Sequence, residues 1–235
     1  MNNLIKPELN EDFAQNKEYL EYLEQLRVHF DDPSLYDGRD VYNTVPAICA
    51  LDALVTFKQG LTDLKGKRIC DFGVGAGFPC AALGLEGVIT YGFEMDHKIL
   101  QLSERKFREA EIQAPNVILM NYFSNDAIHM KFSDGATLAD MDAFFIYPFD
   151  NSFQIGDILI NLLSGDIKRG ALFYHTLCPF IHDDVLNLEI AAAERIGFEA
   201  GIYNNTFVKT SPSIFTSEDR LSYTKQLFQY GHKRW

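Results

Sequence analysis

Residues 68–79 read Arg-Ile-Cys-Asp-Phe-Gly-Val-Gly-Ala-Gly-Phe-Pro, and no other stretch constrains the fold as much. An apolar run of strand character passes directly into three alternating glycines, then into a segment whose first turn carries Pro79. Proline is tolerated there because the missing N–H would have had no helical partner. Glycine allows tight, positive-φ backbone and lets a ligand approach without meeting a Cβ. The expectation is a strand–turn–helix unit with a ligand-binding turn.

The rest of the chain repeats that alternation. Strands are expected over 67–72, 88–93, 116–120, 142–147 and 171–177. Helices are expected from Pro79 and over 97–113, 155–163 and 183–195. Two final strands, 199–207 and 221–228, have only a loop between them, so one of them should run antiparallel. Such alternation predicts a mostly parallel sheet with helices on both faces. Before it, residues 11–30 and 45–57 read as two helices, broken by Asp31-Asp32-Pro33-Ser34. Residues 1–60 are therefore expected to form a helical cap or lid, and 61–235 the α/β domain.

Two features decide what the glycine turn holds. The glycines read G-x-G-x-G, and Phe78 stands where the dinucleotide fingerprint has its third glycine. Asp71 ends the strand just before the turn. A carboxylate there would oppose a pyrophosphate but suits an ammonium and a sulfonium, which favours S-adenosylmethionine over a nicotinamide dinucleotide. The next strand ends Phe93-Glu94-Met95-Asp96, roughly 20 residues on, where an acid can accept from both ribose hydroxyls. Asp71, Gly73, Gly75, Gly77, Glu94 and Met95 form the expected cofactor set.

The run from Asp71 to Gly77, with Glu94, resembles motif I and the following acid of class I S-adenosylmethionine-dependent methyltransferases. The resemblance implies a Rossmann-like, seven-stranded, mostly parallel sheet ending in an antiparallel hairpin. It implies that Asp71 and the glycine turn hold the methionine part and Glu94 the ribose. Adenine contacts then fall at Asn121 and Tyr122, with Phe123 beside them. The residues nearest the reacting methyl fall at 146–150, where Tyr147, Pro148, Phe149 and Asp150 depart from the [Asn/Asp]-Pro-Pro-[Tyr/Phe] pattern of amide and base methylation. Tyr147 could present its ring to the sulfonium or simply pack. Tyr174 and His175 end the fifth strand on the same rim, Tyr174 as a substrate contact and His175, with Asp150, as a candidate base. Tyr36, Arg39 and Tyr42 lie between the two cap helices and are candidates for the substrate pocket.

Composition narrows the substrate by exclusion. A net charge of −12 would repel a polyanion at range, so nucleic acid is not expected as a partner. No run of roughly 18 uncharged apolar residues suggests a membrane span. The opening residues lack the basic and apolar regions of a signal peptide, so a cytoplasmic protein is expected. Cys49, Cys70, Cys80 and Cys178 sit among apolar neighbours without metal-ligand spacing, and read as reduced core thiols. The expected activity is methyl transfer to a small molecule. Three alternatives stay open: cyclisation or transfer of the cofactor's aminobutyl chain, as in azetidine-2-carboxylate synthases, protein N-methylation, and a non-catalytic binding module. Acceptor and oligomeric state are left open.

Overall fold

A computed structural model describes residues 5–31, 45–120, 129–147, 167–175, 194, 196–200 and 206–210 of the 235-residue chain. Helix α1 (Lys17–Phe30) follows a 3-10 turn at Phe13–Gln15, in which the Asp12 carboxylate accepts from Ala14 N. Tyr19, Tyr22, Leu23, Leu26 and Phe30 recur at three- and four-residue intervals and form its buried stripe. Helix α2 (Ala47–Leu61) starts immediately after Pro46. Strand β1 (Arg68–Phe72) leads through the glycine turn into α3 (Phe78–Leu85). Strand β2 (Ile89–Glu94) and helix α4 (His97–Ala110) follow, the helix capped by the Asp96 side chain. Then come β3 (Asn116–Leu119), β4 (Ala143–Ile146), β5 (Leu172–His175), β6 (Phe198–Ala200) and β7 (Thr206–Lys209).

The seven strands form one sheet in the order β3-β2-β1-β4-β5-β7-β6. All neighbours are parallel except β5–β7 and β6–β7, so β7 alone runs against the rest. The terminal hairpin is as expected in kind but not in place. The stretch 199–207, expected as one strand, contributes to both arms, β6 and β7. A hairpin preserves the alternation of apolar and polar residues across its turn, so periodicity alone read it as continuous. The expected strand 221–228 lies outside the described residues, as do the expected helix 155–163 and all of the helix 183–195 but Glu194.

Two apolar layers sandwich the sheet. On one face Ile69, Ala143, Phe145, Leu172 and Tyr174 share a core with residues of α1, α2 and α3 and with Phe107 of α4. Helix α2 runs antiparallel to β5: Gly60 abuts Leu172, while Phe57 meets Tyr174 edge-on at 5.8 Å. On the other face Phe93, Phe72 and Phe144 lie side by side across β2, β1 and β4 with nearly parallel rings. Strand order reverses between β1 and β4. Ligands of open α/β sheets bind at the carboxyl edge of such a reversal, which is where the glycine turn lies.

Candidate cofactor and acceptor site

The turn is built from glycines with different tasks. Gly73, Gly75 and Gly77 all have positive φ (94°, 56° and 97°). The N–H groups of Gly73 and Val74 both donate to the Phe93 carbonyl, which fastens the turn to β2. Above Gly75 the space is open, since an added Cβ would meet only the Gly73 carbonyl at 3.9 Å. At Gly77 it would collide with the Phe107 ring at 2.4 Å and Ser103 Oγ at 2.8 Å, so this glycine lets α4 close onto the start of α3. Gly92, which sequence reasoning passed over, has a parallel role. A Cβ there would sit 2.2 Å from Val74 Cγ2 and 2.9 Å from the Asp71 carbonyl. A glycine amid the β-branched and aromatic residues of β2 was the available signal.

Glu94 is buried, at 6% exposure, and ties the turn to the start of α4. Its Oε2 accepts from Gly75 N at 2.9 Å, and its Oε1 from Met95 N and Asp96 N at 2.8 and 2.9 Å. An ionised carboxylate has about four acceptor positions, so three backbone donors leave room for one more. Met95 beside it is exposed.

Asp71 is almost fully enclosed and its carboxylate accepts from the Cys80 thiol at 3.6 Å. Burial pushes its carboxyl well above the usual range. The Cys80 hydrogen bond opposes that shift, and the charge of Glu94 adds to it. Burial likewise pushes the Cys80 thiol well up, with Asp71 contributing. Cys80 reads in sequence as a core thiol; its place one turn into α3 brings it against Asp71. An enclosed carboxylate whose hydrogen-bond partner is a thiol is a site that gains from a cation.

The rim of β4 and β5 is made differently. Tyr147, just past β4, is half-buried against the core on the α2 side of the sheet. Tyr174 lies on that face too, stacked on Phe145 and donating its hydroxyl to Asp52 Oδ2 of α2 at 2.5 Å. Burial first, then the Asp52 charge and hydrogen bond, raise its phenol far above the ordinary value. His175 projects to the opposite face, buried beside Phe207 and Phe173. The structure thus gathers Asp71, Gly73, Gly75, Gly77, Glu94 and Met95 at one turn, with Tyr147 and Tyr174 along the same face and His175 behind the sheet. Asn121, Tyr122, Phe123, Asp150, Tyr36, Arg39 and Tyr42 lie outside the described residues, as does Cys178. Among the described residues no cluster of three or more His, Cys, Asp or Glu side chains is arranged to hold a metal, and no helix is long and apolar enough to cross a membrane.

No protein-family model and no curated protein sequence matches this chain. Solved structures do match in fold. The Pyrococcus horikoshii protein PH1948, assigned as an RNA methyltransferase, superposes with a TM-score of 0.57 at 16% identity, covering 84% of this chain and 98% of its own. The magnesium protoporphyrin IX methyltransferase ChlM of Synechocystis PCC 6803, with bound S-adenosylmethionine, gives 0.50 at 14% identity over 79% of this chain and 94% of its own. The Podospora anserina methyltransferase PaMTH1, bound to S-adenosylhomocysteine, gives 0.50 at 12% identity over 87% and 97%. Strand order, the glycine turn and these superpositions agree: the chain has the Rossmann-like fold of the class I S-adenosylmethionine-dependent methyltransferases.

Proposed function

We propose that this protein is an S-adenosylmethionine-dependent methyltransferase whose acceptor is a small molecule. The observation that carries the reading is the joint placement of Asp71, Gly75 and Glu94 at the strand-order reversal. The residues fit the cofactor. Asp71 offers an enclosed carboxylate to an ammonium, Gly75 leaves open space above the turn, and Glu94 keeps acceptor capacity for a ribose hydroxyl. S-adenosylmethionine, when bound, supplies a methyl group already activated by its sulfonium.

What the chain's own residues must do is therefore limited. They align the two reactants and exclude water, which can contribute several kcal/mol toward the barrier. Asp71 and the glycine turn hold one end of the cofactor and Glu94 the ribose. Tyr147 offers a ring on the same face of the sheet, and a cation above such a ring gains about 0.5–2 kcal/mol. Asp150 remains the candidate base for an acceptor that must lose a proton; His175, expected as a second, is buried on the opposite face of the sheet because the pleat sends it away from Tyr174, and does not reach that acceptor. Residues 1–60 are the cap in this reading, and Tyr36, Arg39 and Tyr42 its candidate substrate contacts. The acidic chain, at −12, favours a small or cationic acceptor over nucleic acid.

The test is incubation of the purified protein with methyl-labelled S-adenosylmethionine and fractionated small-molecule extract. The reading expects label in a small-molecule product and stoichiometric S-adenosylhomocysteine. Methylthioadenosine as the released nucleoside would instead establish aminobutyl chemistry. Tight binding with no consumption would make the protein a binding module.

A further inference from the structure

Helix α2 carries a charge at one position only in its first three turns, 47–57. Ala47, Ala50, Leu51, Ala53, Leu54, Val55 and Phe57 are buried, and Asp52 stands half-buried among them. Its hydrogen bond is with the Tyr174 hydroxyl, 122 residues away in sequence. No cation pairs with Asp52 among the described residues. A carboxylate half-buried among these apolar side chains costs desolvation that one neutral hydroxyl offsets only in part.

Its location is specific. Because α2 runs against β5, with Gly60 at Leu172 and Asp52 at Tyr174, the first turns of α2 reach the carboxyl edge of the sheet. Strand register sets Asp71, Phe145 and Tyr174 in one row across β1, β4 and β5. All three side chains belong to the same face, since Phe145 and Tyr174 share the α2-side core and Asp71 meets Cys80 of α3. With strands about 4.8 Å apart, Asp71 and Tyr174 are separated by roughly 10 Å. Tyr147 lies one pleat beyond Phe145 on that face. The cofactor's ammonium subsite at Asp71 and the carboxylate on α2 thus flank the β4 tip from its two sides.

We infer that Asp52 is the recognition group for an ammonium carried by the methyl acceptor, with Tyr174 as its positioning residue. The inference rests on the methyltransferase reading and adds the chemical class of the acceptor. The Tyr174 hydroxyl occupies one oxygen of the carboxylate, which leaves the other to accept from an incoming N–H. The ring of Tyr147 on the same face would favour that charge. Asp52 anchors the acceptor and need not exchange a proton, so the anchored nitrogen and the methylated atom are free to differ.

The probes are a series of primary amines from ethylamine to tyramine and their matched neutral alcohols. They are titrated against full-length protein saturated with S-adenosylhomocysteine. Binding of S-adenosylhomocysteine alone is measured first, and its absence would defeat the cofactor reading rather than this inference. With that binding present, at least one amine should bind more than tenfold tighter than its alcohol. Asp52→Asn, which retains an acceptor for Tyr174, should abolish the preference while keeping the wild-type melting temperature within a few degrees. Tyr174→Phe should reduce it several-fold. No amine preference anywhere in the series would overturn the inference, as would a preference that survives in Asp52→Asn.

Discussion

The tips of β1 and β2 and the tips of β4 and β5 share one edge of one sheet, yet they are held by different forces. At β1 and β2 the shape is made by backbone: positive-φ glycines, two N–H groups on the Phe93 carbonyl, and three more on Glu94. At β4 and β5 it is made by side chains: Tyr174 between Phe57 and Phe145, with its hydroxyl on Asp52. Backbone geometry suits a ligand that never changes. Side-chain packing can be rebuilt residue by residue without disturbing the fold, as suits an acceptor that differs between enzymes. Under the proposed function the first region would hold the cofactor and the second the substrate.

The sharpest way to break this contrast is to crowd the backbone-built half. Gly92→Val would drive a side chain into Val74 and the Asp71 carbonyl, and should cost about 3 kcal/mol of stability, the upper end of overpacking penalties. Urea unfolding reads it, and an unchanged midpoint would mean the close approach is not needed.

Asp71→Asn should come next, weakening cofactor binding by about 2 kcal/mol, as expected for a hydrogen bond to a charged group. It should also change pH dependence in a defined direction. Burial holds the Asp71 carboxyl well above its unfolded value of about 3.9. Its contribution to stability is thus complete below that value and is lost as pH rises toward the folded-state pKa. The ligand-free wild type should therefore lose stability relative to Asp71→Asn as pH is raised above about 4. Parallel stability–pH curves for the two proteins would contradict the burial argument.

In the side-chain-built half effects should be smaller. Tyr174→Phe removes one hydrogen bond to a half-exposed carboxylate and should cost about 1 kcal/mol by thermal melting. Tyr147→Phe keeps the ring, and should change kcat/KM by less than about threefold, or about 0.6 kcal/mol. A loss of a hundredfold would assign the work to its hydroxyl instead.

Local features were legible in the sequence and distant ones were not. The glycine turn and Glu94 could be read because their spacing is short and fixed by the strand–helix–strand unit. Gly92 and Cys80 looked like ordinary strand and core residues, since only the approach of Val74 and Asp71 gives them their tasks. The Asp52–Tyr174 pair joins an N-terminal helix to the fifth strand, and no local pattern announces it. Tyr174 and His175 both end β5 at one rim, but the pleat sends adjacent side chains to opposite faces, and only Tyr174 shares a face with Asp71.

The glycine turn and Glu94 are proposed to hold S-adenosylmethionine together. Calorimetric titration of S-adenosylhomocysteine into the wild type and Glu94→Ala tests this directly. The expected result is a single saturable site whose affinity falls roughly 10- to 100-fold in the variant, the loss of hydrogen bonds to a charged group. No binding by the wild type, or equal binding by both proteins, would contradict it.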